Sequence, residues 1–111
     1  MPHCIVEHSA SLNGEDLLPL VFQGALNSNL FAADGRDIKV RAQAYRVYQT
    51  GNTSSDFIHV VLKILSGREE ADKQKLSLLV LEELCGLNLT ACSITVEVID
   101  MDRDSYVKLV T

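Results

Sequence analysis

The sequence predicts an α+β fold, a pseudo-symmetric pair of βαβ units whose four strands form one mixed sheet with two helices on a single face. Three observations predict it. Short stretches alternate apolar and polar residues with a period of two, as strands half-buried against a core do. Longer stretches between them carry apolar residues at helical spacing. Sliding the chain by 56 residues also brings its halves into step: His3 falls on His59, Ile5 on Val61, Val6 on Leu62, Ile38 on Ile94 and Val40 on Val96. A period this long, dividing one domain into halves of about residues 1–55 and 56–111, marks a repeated supersecondary unit.

Taken in order, Pro2 to His8 is the first strand and Asn13-Gly14 breaks it off. Asp16 to Phe31 is a helix with Leu18, Phe22, Ala25, Leu26 and Leu30 on one face. Pro19 falls in its first turn, where a missing N–H costs little. Asp34-Gly35 closes the unit. Ile38 to Tyr48 alternates, with Ile38, Val40, Ala42 and Ala44 on one side and Lys39, Arg41 and Gln43 on the other. Thr50 to Ser55 is turn-rich.

Phe57 to Leu65 is the strongest strand, with Ile58, Val60, Leu62 and Ile64 on its apolar face. Ser66-Gly67-Arg68-Glu69 has the form of a capping box and predicts a helix from there to about Leu84, stopped at Gly86. Ser93 to Ile99 alternates again, and the segment from Asp100 to Thr111 matches no element. Crossovers within each half join parallel strands, which makes the sheet mixed.

Two helices cover one face of such a sheet. The other would carry Lys39, Arg41, Gln43, His59, Lys63, Glu7 and Glu97 among Phe57, Val61 and Leu65. That mixture is too apolar for free exposure and too charged for a sealed core, so association of subunits is expected. His59 reads as a packing residue. Glu7 and Glu97 read as charge partners of the basic strand residues.

A net charge of −5 without a basic block argues against nucleic acid as partner. No apolar run is long enough to span a membrane, and the N-terminus lacks the basic and apolar regions of a signal peptide. Cys4, Cys85 and Cys92 form an odd set without metal-ligand spacing, which fits small buried residues in a reduced cytoplasm. Glycine-rich phosphate loops, zinc motifs and nucleophile elbows are absent, so no metal or cofactor is expected.

What remains is Pro2. Removal of Met1 would expose it as a secondary amine, and an α-amino group titrates near pH 7.7–8.0, close to the best range for acid–base work. With Met1 attached, the same nitrogen is an amide and cannot act as a base.

Several motifs then agree. The opening Met1-Pro2-His3-Cys4-Ile5-Val6-Glu7 with Ser9-Ala10 resembles the 5-carboxymethyl-2-hydroxymuconate isomerase family of the tautomerase superfamily. Ile38-Lys39-Val40-Arg41-Ala42 resembles that family's basic strand, and Phe57 to Ile64 followed by Gly67-Arg68 is similar to its third strand and second helix start. Asp104-Ser105-Tyr106-Val107-Lys108 is similar to its C-terminal segment.

The resemblance implies a tautomerase-like homotrimer that acts on a small anionic substrate without a cofactor. Pro2 would be the catalytic acid–base, and Lys39, Arg41 and Arg68 would bind substrate carboxylates. The family usually has arginine where this chain has Lys39, a change that loses the planar fork and leaves room for a shifted substrate. A ferredoxin-like binding module without chemistry shares the order β-α-β-β-α-β and stays open if Met1 is retained.

Overall fold

Both halves of the chain fold as the repeat requires. The computed structural model describes all 111 residues. They run as β1 (His3–Ser9), α1 (Gly14–Asn27), β2 (Lys39–Tyr45), β3 (Asp56–Leu65), α2 (Glu70–Cys85), β4 (Cys92–Met101) and a 3-10 turn over Arg103–Ser105. The strands form one sheet in the order β2-β1-β3-β4. β1 pairs with β2 and β3 with β4 in parallel, while β1 and β3 are antiparallel.

The register reproduces the repeat residue by residue. His3 lies opposite Lys39 and Asp56 opposite Cys92, a separation of 36 residues in each parallel pair. Ile5 and Val61, which are each other's repeat equivalents, face one another where the antiparallel strands meet. A pseudo-two-fold axis therefore passes between them. Gly24 and Val80 are also equivalents, and α1 crosses α2 there with backbone nearly touching backbone.

Alternation decides which side chains go inside. Cys4 and Val6 of β1 and Ile58, Val60, Leu62 and Ile64 of β3 are fully buried under the helices. Leu17, Val21 and Ala25 from α1 and Leu76, Val80 and Leu84 from α2 complete the core. Each large aliphatic side chain so buried contributes roughly 1.5–3 kcal/mol, so turning a helix out of phase with the core is costly.

Several expectations need correction. The buried stripe of α1 is Leu17, Val21 and Ala25, not the face running through Leu18, Phe22 and Leu30. The helix exposes Asp16, Gln23 and Asn27, while Phe22 and Leu26 pack at the edge of the core beside the loop at Gly35. α1 also begins earlier, capped by Asn13, whose side chain accepts from the Glu15 N–H at 3.0 Å. Pro19 thus lies inside the helix, where it removes the bond that position would donate to the Glu15 carbonyl. No capping box forms at α2. Its cap is Glu69 without a side-chain bond, because Ser66 Oγ accepts from the Arg103 N–H instead. Finally, Cys4 is buried but Cys85 is exposed.

On the uncovered face Ile5, Phe57, Val61 and Leu65 stay half-buried among charged neighbours. Its acids do not pair with Lys39, Arg41 or Lys63. Glu7 accepts from the Tyr45 hydroxyl at 2.6 Å, and Glu97 meets His59 Nε2 at 2.6 Å. His59 Nδ1 lies 2.6 Å from Thr95 Oγ1, so this histidine is held by polar partners on both nitrogens rather than by packing alone. No helix of the chain is long and apolar enough to cross a membrane.

Candidate active site

Pro2 immediately precedes β1 and is already tied to β2. Its carbonyl accepts from the Lys39 N–H at 3.1 Å, and its ring is fully buried. One residue earlier, the Met1 amine donates to the Asp37 carbonyl. Burial, and next the cation of Lys39, lower the pKa of that amine from its ordinary value, while Asp37 pulls it back up.

Met1 is one wall of a cleft of about 280 Å³ that also involves Leu30, Phe31, Asp37, Arg68 and Arg103. The cleft forms where the loop after α1 meets the β3–α2 loop. Gly67, at φ +113, takes a backbone conformation that L side chains rarely adopt and lets the chain turn out of β3. Arg68 follows just ahead of the α2 cap, not in the helix's first turn as its place in a capping box would have it. Its Nη2 donates to the Leu30 carbonyl at 2.6 Å and ties the two loops together.

Only part of the expected cation set converges here. Arg68 faces the cleft beside the N-terminus. Lys39 Nζ lies 3.3 Å from the Asp37 carbonyl, the same oxygen to which the Met1 amine donates, so this cation stands beside the amine, and it also borders a hollow shared with Lys108 and the chain's last residues. Arg41 lies farther along β2, opposite Ile5, with Nη1 3.4 Å from His3 Nδ1. A guanidinium can only donate, so His3 Nδ1 accepts and its Nε2–H donates to the Tyr106 hydroxyl at 3.1 Å. Burial, then Arg41, lowers the His3 pKa, which favours that neutral form.

Two participants were invisible in the sequence. Asp37 joins the N-terminus to the C-terminal segment, its carboxylate 3.6 Å from Lys108 Nζ. Arg103 comes from the segment that matched no element. It reaches the cleft because its Nε–H donates to the Ser66 carbonyl at 3.0 Å. Neither had a local signal, since both arrive through contacts between distant segments.

Comparison with known proteins places this geometry. The family model for 5-carboxymethyl-2-hydroxymuconate isomerase matches residues 2–103. The structure of a 5-carboxymethyl-2-hydroxymuconate isomerase from Deinococcus radiodurans R1 is similar with a TM-score of 0.75 at 21% identity, over 97% of this chain and 88% of that one. A 5-carboxymethyl-2-hydroxymuconate delta-isomerase structure gives 0.74 at 16% identity, over 98% and 88%. A fused 4-OT asymmetric trimer gives 0.79 at 14%, over 96% and 91%. Curated protein sequences yield no match. At these identities the structures speak for the fold, a tautomerase fold, while the family model speaks for descent over nearly the whole chain. The chain belongs to the 5-carboxymethyl-2-hydroxymuconate isomerase family.

Proposed function

We propose that this isomerase shifts a proton within a small unsaturated 2-hydroxy carboxylate, such as 5-carboxymethyl-2-hydroxymuconate, with Pro2 as its acid–base after Met1 is removed. One observation carries the reading: the start of β1 abuts the cleft that Arg68 shares, so loss of Met1 would leave a secondary amine beside an arginine. Pro2 is already tied to Lys39, whose main-chain N–H donates to the Pro2 carbonyl at 3.1 Å, so the amine left by loss of Met1 would lie next to the residue that carries this cation.

Chemically, the unprotonated Pro2 nitrogen takes the proton of the 2-hydroxy group. Electrons move along the conjugated system as the C2 carbonyl forms. The protonated amine then returns one proton to the carbon at the far end, so nothing is gained or lost overall. Negative charge spread over the intermediate dienolate is what a fixed cation offsets, and a guanidinium can grip a carboxylate bidentately. Arg68 is that anchor.

Lys39 and Arg41 enter the reading through assembly. They stand on the sheet face that the helices leave uncovered. The fused 4-OT relatives are described as trimers. A homotrimer enclosing this face would bring both cations to a subunit boundary. A cytoplasmic location belongs to the same reading, with three free thiols, one of them exposed.

Intact-mass analysis of the native protein, paired with absorbance assays of the isomerisation, tests the proposal. Processed wild type is expected to turn over. Protein with an uncleaved N-terminal extension should be slower by at least about 10²-fold, the low end for loss of a general base. Full retention of Met1 in native protein, or equal rates with the extension, overturns it.

A further inference from the structure

We propose that the hollow at the start of α1 is a second binding site, one that takes a small organic ammonium ion with a short apolar tail. It lies toward the opposite end of β1 from Pro2, about 20 Å along the strand, and shares no residue with the cleft described above.

The site is built around His8. Its side chain follows Cys4 and Val6 on the helix-facing side of β1 and is 2% exposed. Nδ1 lies 2.8 Å from the Ser9 carbonyl. A carbonyl only accepts, so Nδ1 carries the proton and Nε2 of the neutral ring is left with its lone pair. Nε2 bonds to nothing in the protein, yet the chain has no sealed polar side-chain atom without a partner, so Nε2 opens into the hollow that His8 lines.

Gly14 keeps that nitrogen accessible. A Cβ there would lie 2.8 Å from His8 Nε2 and 3.3 Å from the Ala42 Cβ. Gly14 does not have a positive φ, so its backbone would accept a side chain and only the space beside Nε2 excludes one.

Around this lone pair the hollow, of about 320 Å³, has Glu15 at its rim and an apolar wall that includes Leu18, Ala42 and Ala44. Leu18 is half-buried but lies outside the core cluster, and Ala42 and Ala44 are exposed, so the wall has no covering within the chain.

Charge decides the ligand. A helix N-terminus ordinarily invites an anion. Here two of its first amides are already engaged: Asn13 Oδ1 accepts from the Glu15 N–H at 3.0 Å, and the Asn13 carbonyl from the Asp16 N–H at 3.1 Å. Glu15 and Asp16 add negative charge to that first turn, and neither takes part in an ion pair. No lysine or arginine lines the hollow. What it offers a ligand is therefore acceptors, His8 Nε2 and the Glu15 carboxylate, beside an apolar wall. An alkylammonium ion brings N–H donors for both and a hydrocarbon tail for the wall.

The test uses NMR of the 15N-labelled full chain with n-butylammonium, 1-butanol and pentanoate, which share a butyl chain and differ in head group. Histidine ring signals should place the His8 proton on Nδ1. n-Butylammonium should shift His8 Nε2 and the main-chain signals of Gly14 and Ala42, with an affinity about two- to fivefold above that of 1-butanol, the range for an exposed charge pair. Pentanoate should leave those signals unmoved. Glu15→Gln should bring n-butylammonium down to the affinity of 1-butanol, and Gly14→Ala should abolish the response of His8 Nε2 to both. Should Gly14→Ala fail to fold, Glu15→Gln, at an exposed position, still decides.

A His8 proton on Nε2 overturns the proposal. So does pentanoate binding as tightly as n-butylammonium, the absence of a saturable shift with n-butylammonium, or a response to it that Glu15→Gln or Gly14→Ala leaves unchanged.

Discussion

Replacing Gly24 by alanine sets two effects of opposite sign against each other. On helix propensity alone, alanine is better than glycine by about 1 kcal/mol. The structure leaves no room for it. A Cβ at Gly24 would lie 2.6 Å from Val80 Cα, 2.9 Å from the Leu79 carbonyl oxygen and 3.0 Å from Val80 N. Carbon atoms rest at about 3.5–4.0 Å, so α1 must withdraw from α2 by roughly 1 Å. All three obstacles are main chain, and no rotamer change relieves them. The helices carry Leu17, Val21 and Ala25 on one side and Leu76, Val80 and Leu84 on the other, all buried in the shared core.

Overpacking of this kind costs about 1–3 kcal/mol, and a three-atom backbone clash belongs at the upper end. Subtracting the propensity gain leaves a net loss of about 2 kcal/mol. A domain of this size loses about 4–8 °C of Tm per kcal/mol, so the midpoint should fall by about 8–16 °C. Thermal melts followed by circular dichroism measure it, at matched protein concentrations because association raises apparent stability. Adding Val80→Ala should not rescue the variant, since it trims a side chain that is not the obstacle. A midpoint at or above that of wild type would refute the reasoning.

Lys39→Gln bears on the amine proposed as the acid–base. A cation beside an amine disfavours its charged form, so removing Lys39 should raise the amine's pKa and move the acid limb of the pH–rate profile to higher pH; an unmoved limb counts against Pro2 as the titrating base. The thiols should separate under iodoacetamide at pH 8. Cys85 is exposed and should label first, whereas burial pushes the Cys4 thiol up to about 12 and should keep it unlabelled until the protein unfolds. Peptide mapping by mass reads both, and early labelling of Cys4 contradicts the packed core around it.

Legibility followed the range of the interactions. β3 could be read directly because Ile58, Val60, Leu62 and Ile64 alternate within one strand, and the structure buries all four. The repeat was legible too, and the equal 36-residue register of the parallel pairs is its structural expression. The stripe of α1 was not, because a helix with Leu17, Leu18, Leu20, Val21 and Phe22 offers several faces, and contact with α2 at Gly24 chooses among them. Ser66 had the right spacing to cap α2 but bonds to Arg103, a residue 37 positions away that no local pattern reveals.

The candidate site divides in the same way. Pro2 and Arg68 carried local signals, one as the chain's second residue and the other beside a strand-to-helix turn. Arg103 and Asp37 carried none, and the C-terminal segment that brings Tyr106 to His3 and Lys108 to Asp37 was unplaced. By itself the sequence determined the two βαβ units, their strands and the family, because periodicity and short motifs are properties of neighbouring residues. Only tertiary structure decided which cations share a cleft, because a guanidinium's position depends on carbonyls offered by distant loops: Leu30 for Arg68 and Ser66 for Arg103.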